Sequence, residues 1–179
     1  VLKLIVDSIE GIKVIATGSS VFDLSNTLGE PLVGRKNTIY LFPLAQIEFS
    51  ATENYKQTTE NLEKRLLFGN YPELEQYEDW TEKTEYLFEI INSYLLKDIL
   101  VFDGIKNSDK IFALLRLIAF QVGKEVSLQE LGSQLQISKN TVEKYLDLLS
   151  KVFIIFKVEG FSRNLRKEIT KSSRWYFYD

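Results

Sequence analysis

Between Ser108 and Gly160 three capped helices and a pair of strand signals follow one another, and this order constrains the fold more than any other feature. Ser108 is placed to cap an apolar helix over Ile111 to Val122, which Gly123 ends. Ser127-Leu128-Gln129-Glu130 has the spacing of a capping box and opens a second helix through Leu135. Ser138 caps a third, in which Val142, Tyr145, Leu146 and Leu149 fall on one face. The apolar run Val152 to Phe156 reads as a strand, and Glu159-Gly160 as a tight turn into another. Three helices and a hairpin predict a winged helix-turn-helix over 105–162.

Upstream the grammar changes. Lys13-Val14-Ile15-Ala16-Thr17 is a short apolar run ending in Gly18-Ser19-Ser20, the pattern of a buried parallel strand that opens into a polar turn. Ser20 then caps a short helix from about Val21 to Leu28, broken by Gly29-Glu30-Pro31. A second apolar run, Thr38 to Phe42, stops at Pro43. Strand, helix, strand predicts the remnant of a parallel α/β sheet over 1–45. Residues 46–104 form an acidic helical segment with a Gly69-Asn70-Tyr71-Pro72 loop between two helices. The second of these carries Tyr86, Leu87, Ile90, Ile91, Tyr94, Leu95 and Ile99 as a core-facing stripe. Beyond the hairpin, 163–179 is basic and ends in a strand, Arg174 to Asp179, with no partner in the remaining sequence; it reads as the start of a further domain. The expected class is α+β, mainly helical.

Composition removes several chemistries. Among 179 residues there is no Cys and no His, which excludes disulfides, zinc fingers, thiol nucleophiles and His-based triads, and no metal site is expected. A net charge of -3 argues against wholesale nucleic-acid binding and leaves only local patches. No apolar run approaches the roughly 18 to 20 residues that a membrane span needs, and Val1 to Val6 lacks the flanks of a secretory signal. A cytoplasmic protein without membrane contact is expected. The chain also has no Met and starts in mid-element at Val1, so it reads as an internal piece of a longer protein.

Several stretches, in order, carry a resemblance. They are Lys13 to Ser20, Gly29-Glu30-Pro31-Leu32-Val33-Gly34-Arg35, Leu41-Phe42-Pro43-Leu44 with Glu48, Gly69 to Glu73, Tyr94 to Ile99, Arg163 to Glu168 and Tyr176 to Asp179. Together they resemble prokaryotic AAA-type ATPases with a C-terminal domain of unknown function, relatives of archaeal ATPases and signalling NTPases. The resemblance implies ATP and Mg2+ as cofactors of the parent protein, and self-association through its ATPase domain. It makes 46–104 a lid-like connector and the segment around Leu4-Ile5-Val6-Asp7 a helix, although that segment imitates an acid-ended, magnesium-holding strand. It gives Thr17 the first-sensor role of orienting the attacking water, with Ser19 and Ser20 nearby; the alternative is that these residues only form a turn and a cap. Arg35 stands where related ATPases often place an arginine finger; its alternative is a surface pair with Glu30. No Gly-x-x-x-x-Gly-Lys-Ser/Thr loop occurs, so the chain alone is expected neither to hold ATP tightly nor to hydrolyse it. Some relatives end in a restriction-endonuclease-like domain that the final strand could begin. With Asp179 as the last residue, no DNA cleavage is expected.

The third helix of the expected winged helix exposes Lys139, Asn140 and Lys144, and the basic segment beyond the hairpin adds Arg163, Arg166 and Lys167. Cations for phosphates and an amide for base edges suit DNA, whereas Glu143 and Asp147 on the same helix repel it. Two functions stand side by side. One is an ATPase fragment whose parent couples ATP binding or hydrolysis to its C-terminal modules. The other is a DNA-binding or regulatory winged-helix protein with a degenerate ATPase part.

Overall fold

The structure, a computed structural model, describes residues 2–18, 36–92, 108–161 and 173–179. By internal contacts the chain divides into two units, Val1–Leu41 and Phe42–Asp179. The described residues form seven α-helices and a two-stranded antiparallel sheet, a mainly helical α+β fold.

In the first unit, α1 spans Leu2–Ser8, so the Leu4-to-Asp7 imitation of a strand is helical. Gly11, at a φ of 76°, turns the chain out of it. The expected parallel sheet does not form among the described residues. Lys13 to Thr17 and Thr38 to Leu41 are neither strands nor buried, with Ile15 91% and Leu41 90% exposed. A parallel strand is satisfied only by neighbours on its hydrogen-bonding edges and layers on both faces, and these runs meet neither. The expected helix over Val21 to Leu28 lies outside the described residues.

The second unit opens with helix α2 (Gln46–Phe49) and helix α3 (Tyr55–Phe68). Asn54 and Gln57 cap α3 reciprocally, Asn54 Oδ1 accepting from the Gln57 amide at 3.0 Å and Gln57 Oε1 from the Asn54 amide at 2.9 Å. Beneath α3, Arg65 ion-pairs with Glu53 at 2.5 Å, also donates to Gln46, and lies 3.6 Å over the Phe49 ring. A 3-10 turn, Pro72–Gln76, buries Leu74 and leads to helix α4 (Trp80–Ile90), which Asp79 caps. The sequence marks Tyr86, Leu87, Ile90 and Ile91 as this helix's inner stripe, and they are partly buried. Its fully buried side chain is Lys83, whose ammonium donates to the Leu74 carbonyl.

Helix α6 (Leu128–Leu135) and helix α7 (Lys139–Lys151) form where the caps and periodicity place them, while helix α5 (Ser108–Phe120) begins at Ser108 itself rather than after it and stops short of Val122. Ser127 Oγ accepts from the Glu130 amide at 3.3 Å. The Glu130 carboxylate accepts from Gln134, so only the serine half of the expected capping box is seen. Ser138 Oγ accepts from the Thr141 amide at 3.1 Å. Between α6 and α7 the chain turns tightly, the Ile137 amide donating to the Gly132 carbonyl at 2.9 Å. A Cβ on Gly132 would sit 2.8 Å from the Ile137 carbonyl, so that approach needs glycine.

Strand β1 (Ile155–Val158) pairs antiparallel with strand β2 (Arg174–Phe177), Ile155 opposite Phe177 and Val158 opposite Arg174. This corrects the expectation that the final strand lacks a partner. On its other edge β2 makes an antiparallel bridge to Glu125, and the Val126 amide donates to Ser173 at 3.1 Å. Trp175 points into the core with Ile111, Leu114, Ile118, Leu131, Val142, Leu146, Leu149 and Ile155. Trp175 offers the large apolar area that three short helices alone cannot bury. The strand expected directly after Glu159-Gly160 falls in 162–172, outside the described residues.

Candidate functional site

Thr17 lies in the stretch without regular structure after Gly11 and is exposed; Ser19, Ser20 and Arg35 lie outside the described residues. A triphosphate cradle needs backbone amides converging from a glycine-rich turn onto a helix start. The described residues of the first unit form no such cradle. Among the described residues no cluster of acidic side chains is placed to hold a metal ion.

The structure brings Lys139, Asn140 and Lys144 together on the exposed side of α7, with Val142, Leu146 and Leu149 on the buried side. Lys139 and Asn140 occupy its first turn, directly after the Ser138 cap. Glu143 and Asp147 share the exposed side. Asp147 is held by its own helix, its carboxylate 2.6 Å from the Lys151 ammonium one turn on. That pairing lowers the repulsion Asp147 offers to an approaching phosphate. Arg163, Arg166 and Lys167 lie outside the described residues.

A second cluster joins segments far apart in sequence. The Asp179 carboxylate accepts the Asn70 amide and rests against Gly69, whose φ of 79° and ψ of -167° suit only glycine. Leu44 donates its amide to the Asn70 carbonyl at 2.9 Å, and the Phe42 ring stacks on Tyr178 with centroids 5.5 Å apart. Tyr178 in turn donates its amide to the Ile154 carbonyl at 3.1 Å and packs against the Phe153 and Phe156 rings. Burial pushes the Asp179 carboxyl above its ordinary value, while the Asn70 amide pulls it down. Burial, and then the Asp179 charge, raise the Tyr71 phenol. The sequence leaves Gly69 to Pro72 equally open as a helix-to-helix turn or a contact site, and it gives no sign that Asp179 is the partner. The available signal was Gly69, which sits where a helix stops and leaves room for a close approach.

No helix among the described residues is long and apolar enough to cross a membrane. Residues 59–179 match the domain of unknown function DUF8612, and residues 1–50 match the AAA domain. An uncharacterized protein of Methanocaldococcus jannaschii, MJ1544, is 27% identical over 168 residues, covering 85% of this chain and 38% of the relative. An uncharacterized protein of Haemophilus influenzae is 25% identical over 175 residues, covering 93% of this chain and 44% of the relative. A second Methanocaldococcus jannaschii protein, MJ1637, is 26% identical over 206 residues, covering 99% of this chain and 43% of its own length. The chain thus spans less than half the length of these relatives. No solved structure matches the chain significantly.

Proposed function

This chain belongs to the family of the domain of unknown function DUF8612, and from that premise we propose that it is the late part of an AAA-type ATPase. The parent protein couples ATP binding or hydrolysis to its C-terminal modules. The observation that carries this reading is the AAA match over 1–50, which runs almost directly into the DUF8612 match from 59 onward. Thr17 is the sensor that orients the attacking water, with Ser19 beside it, and Arg35 is the finger that meets a neighbouring protomer's nucleotide. The cofactors are ATP and Mg2+; Thr17, Ser19 and Arg35 are this chain's contribution to the nucleotide site, and the phosphate loop is not among its residues. The protein works in the cytoplasm and self-associates through its ATPase domain.

The C-terminal module is a winged helix in this reading. The order α5, the bridging residue Glu125, α6, α7, β1, β2, with β2 between the other two, supports that assignment. A DNA-binding role is the second reading, favoured by the exposed Lys139, Asn140 and Lys144 and by the Asp147–Lys151 pair beside them.

Arg35→Ala in the full-length protein tests the first reading. Turnover should fall while ATP affinity holds; unchanged turnover removes Arg35 from the catalytic arrangement. The 179-residue chain alone should show no hydrolysis above blank.

A further inference from the structure

The contacts around Asp179 close into a ring. Phe42 stacks on Tyr178, Tyr178 precedes Asp179, Asp179 accepts the Asn70 amide, and the Asn70 carbonyl accepts the Leu44 amide, two residues from Phe42. Phe42 follows Leu41, the last residue of the first unit, while Tyr178 continues β2, which carries Trp175 into the helical core. The ring lies at the edge of the fold: Phe42 is 59% exposed, and Leu44, Asn70 and Tyr178 are only partly buried. The core beneath is closed, with Leu114, Ile118, Val142 and Ile155 fully buried. Contacts of the first kind open at far lower free energy than contacts of the second. The ring can therefore part and reclose without melting the helices.

We propose that the end of β2 is a mechanical relay, in which Tyr178 and Asp179 clasp Phe42, Leu44 and Asn70 and carry displacement of the chain at Leu41 into β2 and the core. Coupling between sites requires an element with two arrangements; the structure shows Asp179 seated on the Asn70 amide, and the relay requires a second in which it is released. The nucleotide as driver of this displacement rests on the ATPase reading above; the clasp itself does not. Gly69 sets its tightness, because only a residue without Cβ lets the carboxylate rest there.

Amide hydrogen exchange in the full-length protein tests this, with and without a non-hydrolysable ATP analogue. In the unsubstituted protein the analogue should change exchange at the Asn70 and Tyr178 amides and along β2. In Gly69→Ala that change should stop short of β2 while affinity for the analogue is retained. A response in β2 that is the same with and without the substitution overturns the relay. Phe42→Leu, without nucleotide, is the independent arm. It should speed exchange of the Tyr178 and Asn70 amides by about tenfold and leave α6 and α7 unchanged. Acceleration confined to the neighbours of residue 42 overturns the relay. If the analogue does not bind at all, the ATPase reading falls, and the Phe42→Leu arm alone decides the clasp.

Discussion

Both oxygens of the Asp179 carboxylate accept the backbone amide of Asn70, at 2.9 and 3.0 Å, across 109 residues of sequence. That pairing ties the loop after α3 to the end of β2, and it shapes the first prediction.

Gly69→Ala should destabilise the second unit. A Cβ there would stand well inside van der Waals distance of Asp179 Oδ2, and the backbone is in a region that non-glycine residues avoid. Strain of this kind costs roughly 1–3 kcal/mol, and displacing the carboxylate from the Asn70 amide adds to it. Urea unfolding should show a lower midpoint at an unchanged slope. An unaltered midpoint would mean that the loop relaxes away from Asp179 freely.

Two carboxylates should give pH dependences of opposite sign. The Arg65 guanidinium beside Glu53 holds the Glu53 carboxyl below its ordinary value, helped by Asn61 and Thr58 and opposed by burial. Its contribution is therefore present at neutral pH and lost as pH falls through the lowered value. Asp179 is raised by burial, so its native state holds a proton longer than the unfolded chain does. Stability from Asp179 therefore falls as pH rises from the ordinary value through the raised one. Denaturant midpoints for Glu53→Gln and Asp179→Asn, followed from about pH 3 to pH 7, should both depart from the parent chain toward neutral pH and with opposite sign, Glu53→Gln falling below it and Asp179→Asn rising above it. Parallel curves would refute both assignments.

Lys83→Met should lose a rise in stability at alkaline pH. Burial, and then Lys64, lower the Lys83 ammonium below its ordinary value of 10.5. The unfolded chain binds that proton over a window in which the folded chain does not, so stability climbs as pH rises through the lowered value. Methionine keeps the stem's packing and removes the titration. It also takes the ammonium from the Leu74 carbonyl, leaving it only the longer bond from the Tyr77 amide at 3.4 Å, so the gain from removing a buried charge is partly offset. The check is the difference between the two unfolding curves from neutral pH upward; a constant difference would rule this out.

Lys139→Ala and Lys144→Ala bear on the DNA reading. If α7 meets phosphates, each substitution should reduce the slope of log affinity against log salt by about 0.9 for each phosphate that the lysine neutralises. Fluorescence anisotropy with a labelled duplex over a salt series measures this directly. A parent chain that shows no salt-dependent binding would leave α7 without a nucleic-acid role.

The legible parts of the fold share one property, which is that their signals are local. Ser127 and Ser138 sit one residue before the helices they cap, and Val142, Leu146 and Leu149 repeat at the helical period, so α6 and α7 could be drawn without knowing their neighbours. Lys139, Asn140 and Lys144 were legible as one exposed face for the same reason. The apolar run at Lys13 to Thr17 misleads because strand character records only a preference; pairing depends on neighbours the run does not name. Lys83 was hidden among acidic residues because its burial depends on the Leu74 carbonyl of a separate turn.

By itself, then, the sequence determined α6 and α7 with their serine caps and inward faces, and the helical character of the segment before them, because such preferences act within a few residues. Only the tertiary structure decided that Arg174 to Phe177 pairs with Ile155 to Val158, that Trp175 completes the core, and that Asp179 closes on Asn70. Each of those pairings joins distant positions. Its free energy arises when the chain has already brought them together, and no local pattern announces it.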